Sequence, residues 1–183
     1  MALRDKLPEP HAARAVVFDF DGVFTDNKVY VDQNGVETVR CDRADGLAFD
    51  MVRAYRQKHG LSAEMFLLSK EPNPVVLKRA QKLGIDCHHG IADKLRYMQA
   101  RYGGSDGKLL GVIYLGNDLN DMAVMRHAEF SVAPDDAHPL IKEVANLVLP
   151  QSGGSGFVRS FIELWLGIGQ ANWEEIHDLV SNR

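Results

Sequence analysis

Arg14-Ala-Val-Val-Phe-Asp-Phe-Asp-Gly-Val-Phe-Thr-Asp26 decides the architecture of the chain. Through Phe20 it is a short, nearly continuous apolar run that passes straight into carboxylates. Alternation of apolar and polar residues would leave one face wet. An unbroken run suits a parallel strand buried on both faces. The carboxylates then fall at its carboxyl end, outside which open α/β sheets bind their ligands. Asp19 and Asp21 stand one residue apart at that terminus, and two such charges repel unless a cation or a proton separates them.

Downstream, residues 28–41 alternate around Gln33-Asn34-Gly35, and Asn-Gly is a strong hairpin signal, so a projecting flap is expected over 27–41. Leu47, Phe49, Met51, Val52 and Tyr55 ahead of Gly60 predict a helix with a glycine stop. The buried-strand pattern recurs over 63–68 and 109–115, with shorter strands over 85–88, 129–133 and 147–149. Helical spacing fills the intervals at 75–83, 91–102 and 139–145, and returns at 157–166 and 173–180. Strands alternating with helices predict an α/β fold, a doubly wound, mostly parallel sheet. Residues 1–183 read as a single domain with a flexible N-terminus over 1–13 and no internal repeat.

At 183 residues and 45% hydrophobic content the chain can bury one substantial core. Its 21 Lys+Arg against 25 Asp+Glu leave a net charge of -4, with no basic excess to neutralise a nucleic-acid backbone or an anionic membrane. Neither an apolar leader nor a membrane-length segment is evident, so a soluble, cytoplasmic protein is expected. Cys41 and Cys87 lack metal-binding spacing and read as reduced thiols. The adjacent His88 and His89 point to different faces, which disfavours zinc.

The polar residues that end the predicted strands come from distant parts of the sequence and share one rim: Asp19 and Asp21, then Ser69, then Asn117, Asp118 and Asp121. Magnesium binds through one or two carboxylates together with phosphate and water, which fits this inventory. Ser69, expected at a helix start, and Lys94 can both hold phosphate oxygens. Asp19 could then take the phosphoryl group while Asp21 protonates the leaving oxygen and later activates water. Asp121 is expected to support Lys94.

Residues 17–26 resemble the first signature of the haloacid dehalogenase-like phosphatases, and Ser69, Lys94 and Gly116-Asn-Asp-Leu-Asn-Asp121 match the remaining signatures in order. The similarity extends from about residue 15 to 162 and is to a capless branch. That branch holds the 3-deoxy-octulosonate 8-phosphate phosphatases, the nonulosonate 9-phosphate phosphatases and the C-terminal domain of acylneuraminate cytidylyltransferases. Asp45-Gly46-Leu47, residues 68–73 and 133–139, and the glycine-rich turn before Phe157 are similar to the same branch. The resemblance implies a β-hairpin flap in place of a cap domain, and Mg2+ held by Asp19, Asp21 and Asn117. It also implies a phosphorylated sugar acid as substrate, and a homotetramer in which a neighbour helps close each site. Glu71 and Lys82 match the nonulosonate enzymes, whereas octulosonate enzymes tend to carry arginine in place of Glu71.

Two positions depart from the pattern. Asn117 stands where most catalytic relatives have a metal-binding aspartate, so one negative charge is lost, and Asp118 is placed to compensate. Ser155 replaces an arginine common in octulosonate phosphatases. The alternative reading is a non-catalytic oligomerisation module like the cytidylyltransferase appendage. A phosphorylated signalling receiver shares the sheet but not the Asp19-Phe-Asp-Gly run or the flap.

Overall fold

The computed structural model describes residues 3–181. Its centre is β1 (Ala15–Phe18), wholly buried as a two-faced apolar run requires. It lies between β4 (Glu64–Leu68) and β6 (Leu109–Leu115), with Ala15 opposite Glu64 on one side and Val112 on the other. β5 (Asp86–His88) lies beyond β4; β7 (Ala128–Ala133) and β8 (Leu147–Val148) lie beyond β6. The order is β5-β4-β1-β6-β7-β8, and every neighbouring pair runs parallel.

Alternate residues of each strand face opposite layers. Val16, Phe18, Leu67, Ile113 and Leu115 pack against α1 (Ala44–His59), α2 (Val75–Leu83) and α6 (Phe157–Leu166). Ala15, Val17, Phe66, Leu68 and Tyr114 meet α3 (Lys94–Tyr102), α4 (Met122–His127) and α5 (Pro139–Val144). In the first layer Phe18 meets Phe24, Phe49 and Phe161 edge-on, with ring centroids 5.6, 5.7 and 6.4 Å away. That geometry suits the aromatic quadrupole and adds to area burial. A last helix, α7 (Trp173–Ser181), buries Leu179 in the same cluster.

Several boundaries differ from the sequence reading. The first helix begins at Ala44, three residues ahead of Leu47. The helix expected from residue 91 starts at Lys94, because the Asp93 carboxylate accepts the Arg96 N–H at 3.0 Å and caps the first turn. The flap is formed by β2 (Thr25–Val31) and β3 (Glu37–Cys41), and its tip is not a two-residue Asn-Gly turn. Instead, Asp32 Oδ1 accepts the N–H groups of Asn34 and Val36 at 2.8 and 2.9 Å, which closes a longer loop. The N-terminal stretch expected to be flexible over 1–13 is anchored in its described part: Leu7 is buried and Trp165 Nε1 donates to Pro8 O at 3.0 Å. Trp165 is a core residue, whereas Trp173 is 76% exposed. Among the described residues no helix is long and apolar enough to cross a membrane.

The aromatic cluster makes a direct prediction. Phe161→Ala removes a wholly buried ring that stacks on Trp165 and meets Phe18. It should lower unfolding free energy by about 3–5 kcal/mol in denaturant titration. A loss below about 1 kcal/mol would place the ring outside the well-packed core.

Candidate active site

The sheet delivers three strand ends to one crevice. Asp19 follows β1 and continues its ladder, its N–H donating to Leu115 O at 2.9 Å. Ser69 follows β4, with its N–H on His88 O at 2.9 Å. Asn117 lies just past β6. The chain leaves β1 towards β4 on one side and returns through β6 on the other, and that reversal opens a ligand crevice at the carboxyl edge. A cavity of about 320 Å³ there is lined by Asp19, Asp21, Ser69, Glu71, Asn117 and Asp118.

Beneath it lies a buried charge cluster. Lys94 Nζ is 2.7 Å from both Asp19 Oδ1 and Asp121 Oδ1. The Tyr114 hydroxyl donates to Asp121 Oδ1 at 2.7 Å, and Asp121 Oδ2 accepts the N–H groups of Asn117 and Asp118 at 3.0 and 3.4 Å. Asp121 thus faces inward and joins Lys94 to the loop after β6. An ammonium so buried persists only with paired charges around it. Burial pulls Lys94 down, but Asp19 and Asp121 together hold it above its ordinary value. Burial first, and then the charge of Asp121, push Asp19 up to about 8 against the pull of Lys94. Asp21 is raised by burial and then by Glu71.

Carboxylate charge therefore exceeds cationic charge here, the condition that a bound cation reverses. The donor set fits one. Asn117 Oδ1 is buried with no hydrogen-bond partner among the described residues, and such orphans are uncommon. Its backbone is pinned at both ends, by Asp121 on its N–H and by the His138 N–H on its carbonyl. Gly22, at φ +75°, lies against the amide, where any Cβ would collide with Asn117 Nδ2. Two carboxylates and an unsatisfied amide oxygen are hard donors suited to magnesium. Among the described residues there is no metal-competent cluster of three or more His, Cys, Asp or Glu, because the third oxygen donor is an amide. Asp118 is exposed on the rim, where its Oδ1 accepts the Leu119 N–H at 2.7 Å.

Some expectations need correction. Ser69 is not at a helix start: α2 begins at Val75, and Ser69 Oγ accepts the Glu71 N–H at 3.1 Å within a loop. Glu71 lines the cavity, but Lys82 does not. Lys82 lines a separate cavity of about 570 Å³ with Arg43, Arg53 and Arg79. The glycine turn before Phe157 is clamped against the loop that follows Asp21. The Gly153 N–H donates to Asp136 Oδ1 at 2.9 Å, the Gly154 N–H donates to Val23 O at 3.2 Å, and a Cβ on Gly153 would strike Gly22 O. Asn27, Lys70 and Asn120 also line the cavity and were missed, as was Tyr114. Lys70 and Asn120 lie within the matching stretches 68–73 and 116–121, and Tyr114 is a hydroxyl inside an otherwise apolar strand, whereas Asn27 carried no such signal.

No family model matches the chain. It is 30% identical over 165 residues to the 3-deoxy-D-manno-octulosonate 8-phosphate phosphatase KdsC of Escherichia coli strain K12, covering 88% of this chain and 84% of that protein. A candidate HAD-family hydrolase from Streptomyces avermitilis superposes with a TM-score of 0.77 at 34% identity, over 92% of this chain and 94% of that one. The 3-deoxy-D-manno-octulosonate 8-phosphate phosphatase of Moraxella catarrhalis, solved with magnesium, phosphate and KDO, shares the fold. Its TM-score is 0.76 at 24% identity, over 91% and 92% of the two chains.

The charge cluster predicts a pH response in chelator-treated protein. A carboxyl raised on folding holds its proton more tightly in the folded state, so it stabilises the fold at low pH. That contribution declines as pH rises from the ordinary 3.8 towards about 8. The thermal midpoint should fall across this window, less steeply in Asp19→Asn, and magnesium should restore it. Parallel curves for the two proteins would remove Asp19 as the source; Asp45, pushed up to about 7 by burial, titrates in the same range.

Proposed function

Since the chain belongs to the KdsC-type phosphatases of the haloacid dehalogenase-like superfamily, we propose that it hydrolyses the phosphate monoester of a 2-keto-3-deoxy sugar acid through an aspartyl-phosphate on Asp19. The observation that carries this is the convergence, in one crevice, of a buried Asp19 paired to Lys94 and the orphan oxygen of Asn117. Magnesium would be held by Asp19, Asp21 and Asn117, and when bound it neutralises phosphoryl charge. The Moraxella catarrhalis phosphatase, of the same fold, was solved with magnesium and phosphate.

In this reading Lys94 and Ser69 hold the phosphoryl oxygens. Asp19 attacks phosphorus as the ester P–O bond breaks, and Asp21 gives its proton to the departing alkoxide. Asp21 then takes a proton from water, which attacks the aspartyl-phosphate and frees inorganic phosphate and Asp19. The raised proton affinity of Asp21 suits the first role. Nonulosonate 9-phosphate is the favoured substrate, ahead of octulosonate 8-phosphate. Glu71 on the cavity wall suits the hydroxyls of a longer chain better than a carboxylate.

The flap supports assembly. Val29, Tyr30, Val31 and Val36 are each at least 57% exposed, an apolar surface that a homotetramer would cover. Lys82, outside its own chain's cavity, would then serve a neighbour's site.

Three outcomes follow. Asp19→Asn should abolish magnesium-dependent phosphate release from both esters without lowering the thermal midpoint; persistent turnover would sink the nucleophile role. Asn117→Asp should lower the magnesium concentration for half-maximal rate, and Asn117→Ala should raise it by about tenfold or more. Val29→Glu with Val31→Glu should sediment as a smaller species with reduced kcat/KM, whereas an intact assembly would exclude the flap as its interface.

A further inference from the structure

Asn27 is, among the described residues, the one non-glycine residue in left-handed backbone, at φ +58°. It sits at the root of the flap, where the β2–β3 register slips between Thr25 and Val29. Its backbone is held hard. Its N–H donates at 3.2 Å to Oγ1 of the wholly buried Thr25, and the same oxygen accepts the Gly22 N–H at 3.1 Å. The position of Asn27 is therefore tied to the loop that carries Asp19 and Asp21. A side chain in this backbone region costs conformational energy and persists where its surroundings dictate it. A glycine would make the same bulge without that cost.

The strained residue lines the cavity with Asp19, Asp21 and Ser69, and its carboxamide makes no hydrogen bond to other described residues. We propose that this carboxamide is a substrate-binding group that reads hydroxyls on the carbon chain beyond the phosphoester, and so helps determine specificity. The inference rests on the phosphatase reading above and extends it outward from the floor.

Position and chemistry both support the assignment. Lys94 and Ser69, at 4% and 1% exposure, lie at the floor and serve the phosphoryl end, whereas Asn27 is exposed at the mouth. The charged residues around it are mostly acidic: Asp19, Asp21, Glu71 and Asp118 face one cation, Lys70, in the lining. A further charge there would repel the anionic ester or compete with the floor for it. A carboxamide is neutral and offers both donor and acceptor, matching an alcohol group by group.

The test compares wild type with Asn27→Gly and Asn27→Asp. Glycine keeps the backbone and deletes the amide; aspartate keeps the shape and replaces the donor with charge. The readout is the ratio of kcat/KM on nonulosonate 9-phosphate, octulosonate 8-phosphate and glucose 6-phosphate to that on p-nitrophenyl phosphate, which has no hydroxyls. Thermal midpoints are measured alongside. In Asn27→Gly the ratio should fall by about threefold to tenfold for at least one hydroxylated ester, with a midpoint no lower than wild type. Asn27→Asp should fall at least as far. An unchanged ratio in Asn27→Gly overturns the inference, whatever happens to absolute rates. Wild-type cleavage of glucose 6-phosphate but of neither sugar acid ester refutes the substrate class while leaving Asn27 to be judged on its ratio. No cleavage of any ester refutes both.

Discussion

One ammonium group holds the site together. Lys94 is buried between Asp19 and Asp121, and neither carboxylate could be kept dry without it. The constraint spreads from there. Asp121 uses its other oxygen on the loop after β6, which sets Asn117; Tyr114 completes its hydrogen bonding from within β6. The outer donors are therefore placed by the same cluster that places the nucleophile candidate. The arrangement sets Lys94 and Lys70 against Asp19, Asp21, Glu71, Asp118 and Asp121, so the pocket is built with a deficit of positive charge that a hard cation and a substrate must settle together.

Much of this was legible because the residues that carry it are punctuated by strand patterns. A two-faced apolar run ending in Asp19 fixes both a central strand and the edge at which chemistry occurs. The same logic placed Ser69 and Asn117, since each follows a run of the same kind. Lys94 had no such strand to locate it, and only its order among the family signatures singled it out. The helix after Asp93 starts three residues later than its periodicity suggests, because apolar spacing continues upstream of a cap that only the Asp93 to Arg96 bond reveals.

The parts that were not legible depend on tertiary contact. Nothing in the local sequence shows that Lys82 opens onto a different cavity from Glu71, since their separation along the chain says nothing of which way a loop and a helix face. In the Gly153 to Gly156 turn the glycines would ordinarily signal backbone freedom. Here they signal close approach: Gly153 lies on the carbonyl of Gly22, a contact between distant parts of the chain. Asn27 carried no signal in composition or periodicity, and its importance comes only from its backbone angle and the cavity beside it.

The clamp at Gly153 has a consequence for how the protein is made. Asp19, Ser69, Lys94 and Asn117 are all synthesised before Gly153, so an emerging chain holds its acids and its lysine while the loop at Gly22 is still unbraced. Strands can pair as they leave the ribosome, but the loop at Gly22 gains its brace only when residues 153–166 arrive and α6 seats Phe157 and Phe161 in the aromatic layer. Cleavage within this turn after folding would release the brace while leaving every reactive group in the chain. Activity and integrity of the sheet would then part company, with the site failing first.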